Sequence, residues 1–296
     1  MGERSLIPAC IILLAVFAAA QQPPAAPSET QVLTYVGSPL RLEYECADQD
    51  MQASGLHCTA DEPCRVYLEL VAVEPVGARL FLAGNLHTES VTLQSILLAS
   101  ADTGKTWSEP FERIRGASLD RIQFYDYETG WASGQVVQPL PRDPFLLLTT
   151  DGGATWRRRP VFSESRPGAI DRLQFDTRTN GTLWIDRTQS GEAGAVYERY
   201  ESVTGGESWT LREALNRPPS APAGAPPRDS GWRLRADRAT QSYRLERSGQ
   251  SGWQLVAAFS IPAGECRPVL KPLLEPPPEP EPEAPVKQTA PARKKR

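Results

Sequence analysis

The densest group of chemistry-bearing side chains in the sequence is Tyr197-Glu198-Arg199-Tyr200-Glu201. A tyrosine activated by a glutamate, arginines that hold a substrate carboxylate and an aspartate as acid/base together suit cleavage of a glycosidic bond. In a β-strand, however, alternate residues point to opposite faces, so Glu198 and Tyr200 share a side that excludes Tyr197 and Arg199. An ordinary outer strand of alternating polarity accounts for the same five residues, and no catalytic residue is assigned.

Cysteine offers two further chemistries, metal ligation and disulfide formation. Cys10 falls inside an apolar run, Leu6 to Phe17, that follows Arg4 and precedes Ala18-Ala19-Ala20. That arrangement is a secretory signal over residues 1–20, cut before Gln21, and the run is too short to span a bilayer comfortably. Retention of the signal as an anchor is the alternative. The mature chain is expected in an oxidising compartment, periplasmic or secreted, with Cys46, Cys58, Cys64 and Cys266 as disulfides. Of the three possible pairings, Cys58–Cys64 is close in sequence, and Cys46–Cys266 would tie the two ends of the domain together. A zinc site finds only His57 and His87 in support and no CxxC pair, so neither metal nor cofactor is expected. The net charge of −4 lacks the basic excess of a nucleic-acid binder.

These residues must be positioned by something. After a linker (21–30), residues 31–266 form a run of short apolar segments, such as Val66–Val73, Arg79–Gly84, Ile96–Ser100 and Phe145–Thr149. Gly, Asp and Asn turns separate them, which predicts an all-β domain with no helix. Arg217–Asp229 reads as a proline-rich surface loop. The tail, residues 267–296, holds nine prolines and ends in Ala-Arg-Lys-Lys-Arg; such a composition predicts a disordered segment.

Repetition decides the fold class. Ser100, Asp102, Gly104 and Trp107 match Ser/Thr-x-Asp-x-Gly-x-x-Trp, and Thr149, Asp151, Gly153 and Trp156 match it again. Ser202, Gly206 and Trp209 keep the frame, with Thr204 in place of the aspartate; a fourth copy at Trp253 keeps little else. The tryptophans stand 156 − 107 = 49, 209 − 156 = 53 and 253 − 209 = 44 residues apart. Asp120-Arg121-Ile122-Gln123-Phe124 recurs as Asp171-Arg172-Leu173-Gln174-Phe175 after 51 residues. Two motifs in register at a period of about 40–50 residues predict a small propeller of about four to five four-stranded blades. Each box occupies the hairpin before the last strand: its aspartate caps turn amides, its glycine takes positive φ, and its tryptophan packs between sheets. A role repeated every 50 residues or so is structural rather than catalytic.

The boxes resemble the Asp boxes (bacterial neuraminidase repeats) of bacterial sialidases. The fuller pattern D-R-I-Q-F-x5-G-W-A-S-G, followed by L-L-T-T-D-G-G-A-T-W, more closely resembles the non-enzymatic propellers of the photosystem II stability and assembly factor family. The match spans Leu119–Trp156, and Ile170–Trp209 in part. It implies a propeller that binds an unidentified protein, with a sialidase-like hydrolase as the alternative; the Arg-Ile-Pro motif of sialidases is absent. Arg121 and Arg172, equivalent in successive blades, are the candidate binding residues, with Arg157-Arg158-Arg159 adding charge. Asn180-Gly181-Thr182 reads as a hairpin turn rather than a glycosylation site. The sequence leaves the oligomeric state open.

Overall fold

A computed structural model describes residues 31–191, 194, 196–219 and 230–268. The expected signal and linker, the proline-rich loop beyond Pro219, and the tail from residue 269 lie outside the described residues.

The described chain is all-β except for a helix, Asp48–Ser54, and a 3-10 turn, Thr188–Ser190. With seven residues, of which only Asp50 and Met51 are buried, the helix is too short to print an apolar period on the sequence. Among the described residues, no helix is long and apolar enough to cross a membrane.

Three consecutive stretches build sheets on one plan. The first carries Cys64–Val76, Arg79–His87 and Thr92–Ser100; the second Ala117–Phe124, Gly130–Val136, Arg142–Thr149 and Arg157–Pro160; the third Ala169–Phe175, Gly181–Asp186, Tyr197–Ser202 and Thr210–Leu215. Strands pair antiparallel in chain order, and the box turn follows the third strand of each. The first sheet gains Pro262–Cys266, which pairs with Cys64–Tyr67 and with Tyr44–Glu45. A fourth sheet holds Trp232–Asp237, Ser242–Gly249 and Gly252–Ser260.

The first strands of the three similar sheets share a bulge, between Leu70 and Ala72, Leu119 and Arg121, and Ile170 and Arg172. One extra residue (Val71, Asp120, Asp171) goes unpaired there and the strand twists more strongly. The common register exposes a third copy of the Asp-Arg-x-Gln-Phe unit, Val71-Ala72-Val73-Glu74-Pro75, that residue identity hides.

From the position of Gln123, the first sheet grips the second and the second grips the third. Glu74 Oε1 accepts the Phe124 N–H at 3.0 Å. Gln123 accepts the Phe175 N–H at 2.9 Å and donates to its carbonyl at 2.8 Å. The second strands do likewise: Asn85 accepts from Leu119 N–H at 2.9 Å, and Gln135 from Ile170 N–H at 3.2 Å. Backbone N–H groups on the open edge of an innermost strand are thereby satisfied from the preceding sheet.

Apolar seams complete the packing. Phe259 of the fourth sheet meets Trp107 edge-on at 5.2 Å between ring centres. Phe81 of the first sheet stacks on Phe124 of the second at 4.8 Å, and Trp131 of the second on Phe175 of the third at 3.7 Å. Each such ring contributes roughly 1.5–3 kcal/mol of burial. The sheets therefore stack in the order fourth, first, second, third. Facing the next sheet, the first presents Phe81, Ala83, Leu97 and Ala99, and the second Trp131, Ser133, Leu146 and Leu148. The third presents Thr182, Trp184, Arg199 and Glu201 at the same positions. Arg199 spends its guanidinium on Glu201 and Glu213 of its own sheet. Among the described residues, no apolar cluster joins the third sheet to the fourth.

Candidate functional site

The box residues build turns rather than a reaction centre. Asp102 accepts the Lys105 and Thr106 N–H groups at 3.0 and 2.9 Å and the Thr106 hydroxyl at 2.8 Å. Asp151 accepts the Thr155 N–H at 3.0 Å and its hydroxyl at 2.5 Å. Ser100 and Thr149 each accept a glycine N–H, from Gly104 and Gly153, at 2.8 Å. Both glycines have positive φ, and a Cβ would lie 2.5 Å from Val256 in one and 2.4 Å from Phe81 in the other. The Trp107 and Trp156 indoles donate to the carbonyls of Gly104 and Gly153 at 3.0 and 3.1 Å.

Burial pushes the Asp102 carboxyl up, but hydrogen bonds from Thr106, Ser100 and Lys105 outweigh it and hold the pKa at about 2. At Asp151 the Thr155 hydroxyl and N–H dominate, with the same result, about 2. A folded pKa below the unfolded value of 3.8 means stabilisation that is full above that value and lost as pH falls toward about 2. Asp102→Ala and Asp151→Ala should each cost about 1–3 kcal/mol through unsatisfied turn amides. Urea titrations at neutral pH check the loss. The wild type should weaken more steeply than the double Asn variant between pH 4 and 2.

The third box keeps the Ser202–Gly206 bond at 2.9 Å, and Thr204 replaces the aspartate by accepting the Ser208 N–H at 3.0 Å. Trp209 is only half-buried, and its indole nitrogen has no partner among the described residues. Trp253 lies outside this pattern: it is exposed, under Arg233, whose guanidinium stands 4.1 Å from the ring centre.

Glu198 and Tyr200 do share a face, as alternation requires, and that face is inward. The Tyr200 hydroxyl donates to Glu198 at 2.6 Å. Arg166 and Arg187 reach the same carboxylate at 3.0 and 2.8 Å. Glu198 is 6% and Tyr200 4% exposed, in the seam between the second and third sheets. Burial alone would raise the Glu198 pKa, but Tyr200 and the two arginines lower it; burial and Glu198 push the tyrosine up to about 12. The five residues thus split into an inward ionic knot and an outward face.

Arg121 is exposed and donates to the Asp171 carbonyl of the next sheet at 2.7 Å. Arg172 pairs with Asp171 at 3.2 Å and donates to the Pro219 carbonyl at 3.2 Å. Arg157 and Arg159 converge on Glu207 of the third sheet, and Arg158 lies over the Phe145 ring. Sequence reasoning found the repeated arginines and missed the acceptors Glu74, Asn85 and Gln135. The recurring Gln of the Asp-Arg-x-Gln-Phe unit was a signal for the clasp at Gln123 alone. The cysteines pair as Cys46–Cys266 and Cys58–Cys64. Among the described residues, no group of three or more His, Cys, Asp or Glu side chains could hold a metal ion.

No family model and no curated protein matches the chain. Solved structures similar to it include the following three. YCF48 bound to a D1 peptide is 19% identical over 67% of this chain and 57% of its own, with a TM-score of 0.34. The GH74 xyloglucanase of Xanthomonas campestris is 18% identical over 45% and 18%, with a TM-score of 0.33. The α-L-arabinanase of Penicillium chrysogenum, complexed with arabinobiose, is 12% identical over 77% and 66%, with a TM-score of 0.33. The chain thus spans less than two thirds of the length of each. The assignment of sheets, seams and turns rests on the residues of this chain.

Proposed function

We propose that the chain is an exported, non-enzymatic binding module whose sheets are blades of a small Asp-box propeller, with a protein as its partner. The observation that carries this reading is the placement of Tyr200 and Glu198. A nucleophile pair must meet substrate, whereas these two are buried and bound to two arginines. The outward surface instead carries exposed arginines and tyrosines, side-chain types that anchor protein interfaces. The disulfides fit an oxidising compartment. The modest negative charge fits neither nucleic acid nor a dedicated anionic surface.

The test is capture. Crosslinking from the exported fraction of the native organism identifies the partner, and the purified protein then binds it without turning over sialosides or other glycosides. Arg121→Glu and Arg172→Glu should weaken that binding about tenfold or more, the loss of a charge-assisted pair. Undiminished binding would remove the arginines from the site. Hydrolase action remains the second reading because the Tyr200–Glu198 hydrogen bond is the pairing such chemistry uses. Turnover that disappears in Tyr200→Phe would replace the binding module with that reading.

A further inference from the structure

The edge that bears the box turns also bears a cavity. It measures about 540 Å³ and opens between the Val76–Gly77 hairpin of the first sheet and the turn after Phe124 in the second. Val73, Glu74, Val76, Tyr125, Asp126 and Tyr127 line it. Tyr125 is 46% and Tyr127 68% exposed, a high exposure for rings of that size. They are nevertheless positioned. Arg79 donates to the Tyr127 carbonyl, and the Tyr127 ring lies against Gly77, where a Cβ would come within 3.1 Å. Among the residues that line it, the charged ones are Glu74 and Asp126, and Glu128 follows in the same turn as Asp126. Arg178 pairs with Asp126 and Glu128, and Arg79 is spent on the carbonyls of Gly152 and Tyr127. The local balance is acidic.

We propose that this aromatic, acidic cavity seats the basic end of the chain's own C-terminal tail, residues 285–296. Reach selects that part. The tail departs just after Cys266, whose strand partner is Cys64, at the start of the strand that ends at Val76 beside the cavity. Twelve steps of strand at about 3.3 Å separate the two ends, roughly 40 Å. An extended proline-rich chain advances about 3.1 Å per residue, so about 13 residues are consumed in transit. Counted from Arg267 they end near Glu279, so the proline- and glutamate-rich stretch up to Glu283 covers the distance with a few residues to spare. What arrives is Pro285 to Arg296, with Lys287, Arg293, Lys294, Lys295, Arg296 and no acid. Proline rings and cationic heads both bind tyrosine faces, and the carboxylates supply the counter-charge. This inference does not depend on the binding-module reading.

Zero-length carbodiimide coupling of the intact chain tests it, because an amide forms only where a lysine amine meets a carboxylate. Lys287, Lys294 or Lys295 should couple to Glu74, Asp126 or Glu128. Tyr125→Ala with Tyr127→Ala, both exposed and so tolerated by the fold, should reduce those products about fivefold or more. About 0.5 M sodium chloride should do the same. Coupling unchanged by the double variant, or confined to acids elsewhere, would overturn the proposal. Mixed-isotope products from a blend of light and heavy protein would overturn it in favour of a second copy.

Discussion

Trp107→Ala is expected to lower the free energy of unfolding by about 3–5 kcal/mol, with Trp156→Ala in the same range and slightly milder. Trp107 is 1% exposed and wedges against Phe259, so its removal opens a void in the seam between the fourth and first sheets. Trp156, 8% exposed, sits edge-on to both Phe81 and Phe124, so its loss loosens the seam between the first and second. Each deletion also strips the indole donor from a glycine carbonyl inside the turn. Trp209→Ala serves as the internal comparison. That ring is half-buried and donates no indole hydrogen bond, so its loss should fall clearly below the other two. Urea unfolding followed by far-ultraviolet dichroism reads all three. Equal, small losses would mean that the boxes do not hold the sheets together.

The period, the turns and the strand order were legible because each rests on local chemistry. Asp, Gly and Trp at fixed offsets dictate one hairpin, and two hairpins 49 residues apart dictate a repeated sheet. The first sheet's copy of the inner-strand unit was not legible. Val71, Ala72 and Pro75 keep only the bulge and the acceptor at Glu74, and both are properties of register rather than of residue identity. The polar side chains on one face of the third sheet were hidden for a similar reason. Thr182, Arg199 and Glu201 look like ordinary alternating strand residues until they are set beside the apolar residues at the same positions in the preceding sheets. The Tyr–Glu pair was correctly placed on one face by alternation. Which face it was could not be known, because Arg166 and Arg187, which make the inward side tolerable for Glu198, come from separate loops. Where Asn85 and Gln135 go depends on the neighbouring sheet, and no single-strand pattern encodes that.

Removing the Cys46–Cys266 bridge, by replacing both cysteines with alanine, is expected to cost about 5 kcal/mol, against about 2–2.5 kcal/mol for removing Cys58–Cys64 in the same way. The sequence separations are 220 and 6, and in the chain-entropy model the longer loop restricts the unfolded chain far more. The longer bridge also does something the shorter cannot. Cys266 ends the strand that returns the chain from the fourth sheet to the first, and Cys46 follows Tyr44–Glu45, which pairs parallel with that same strand. Without the bridge, Pro262–Cys266 is held to the first sheet by a short ladder alone. Amide exchange in Ser242–Ser260 should therefore accelerate more than in the second sheet, clasped to the first, or in the third, clasped to the second. Both cysteines of a bridge must be changed together. Cys64 and Cys266 lie directly opposite one another across the ladder, so a single replacement leaves a thiol beside the wrong partner. In the native protein, alkylation without prior reduction should label none of the four. Joint labelling of Cys46 and Cys266 would show the long bridge to be absent in solution and would leave the short one standing alone. Equal destabilisation by the two double replacements, or uniform exchange across all four sheets, would mean that the end-to-end tie contributes nothing beyond a local staple.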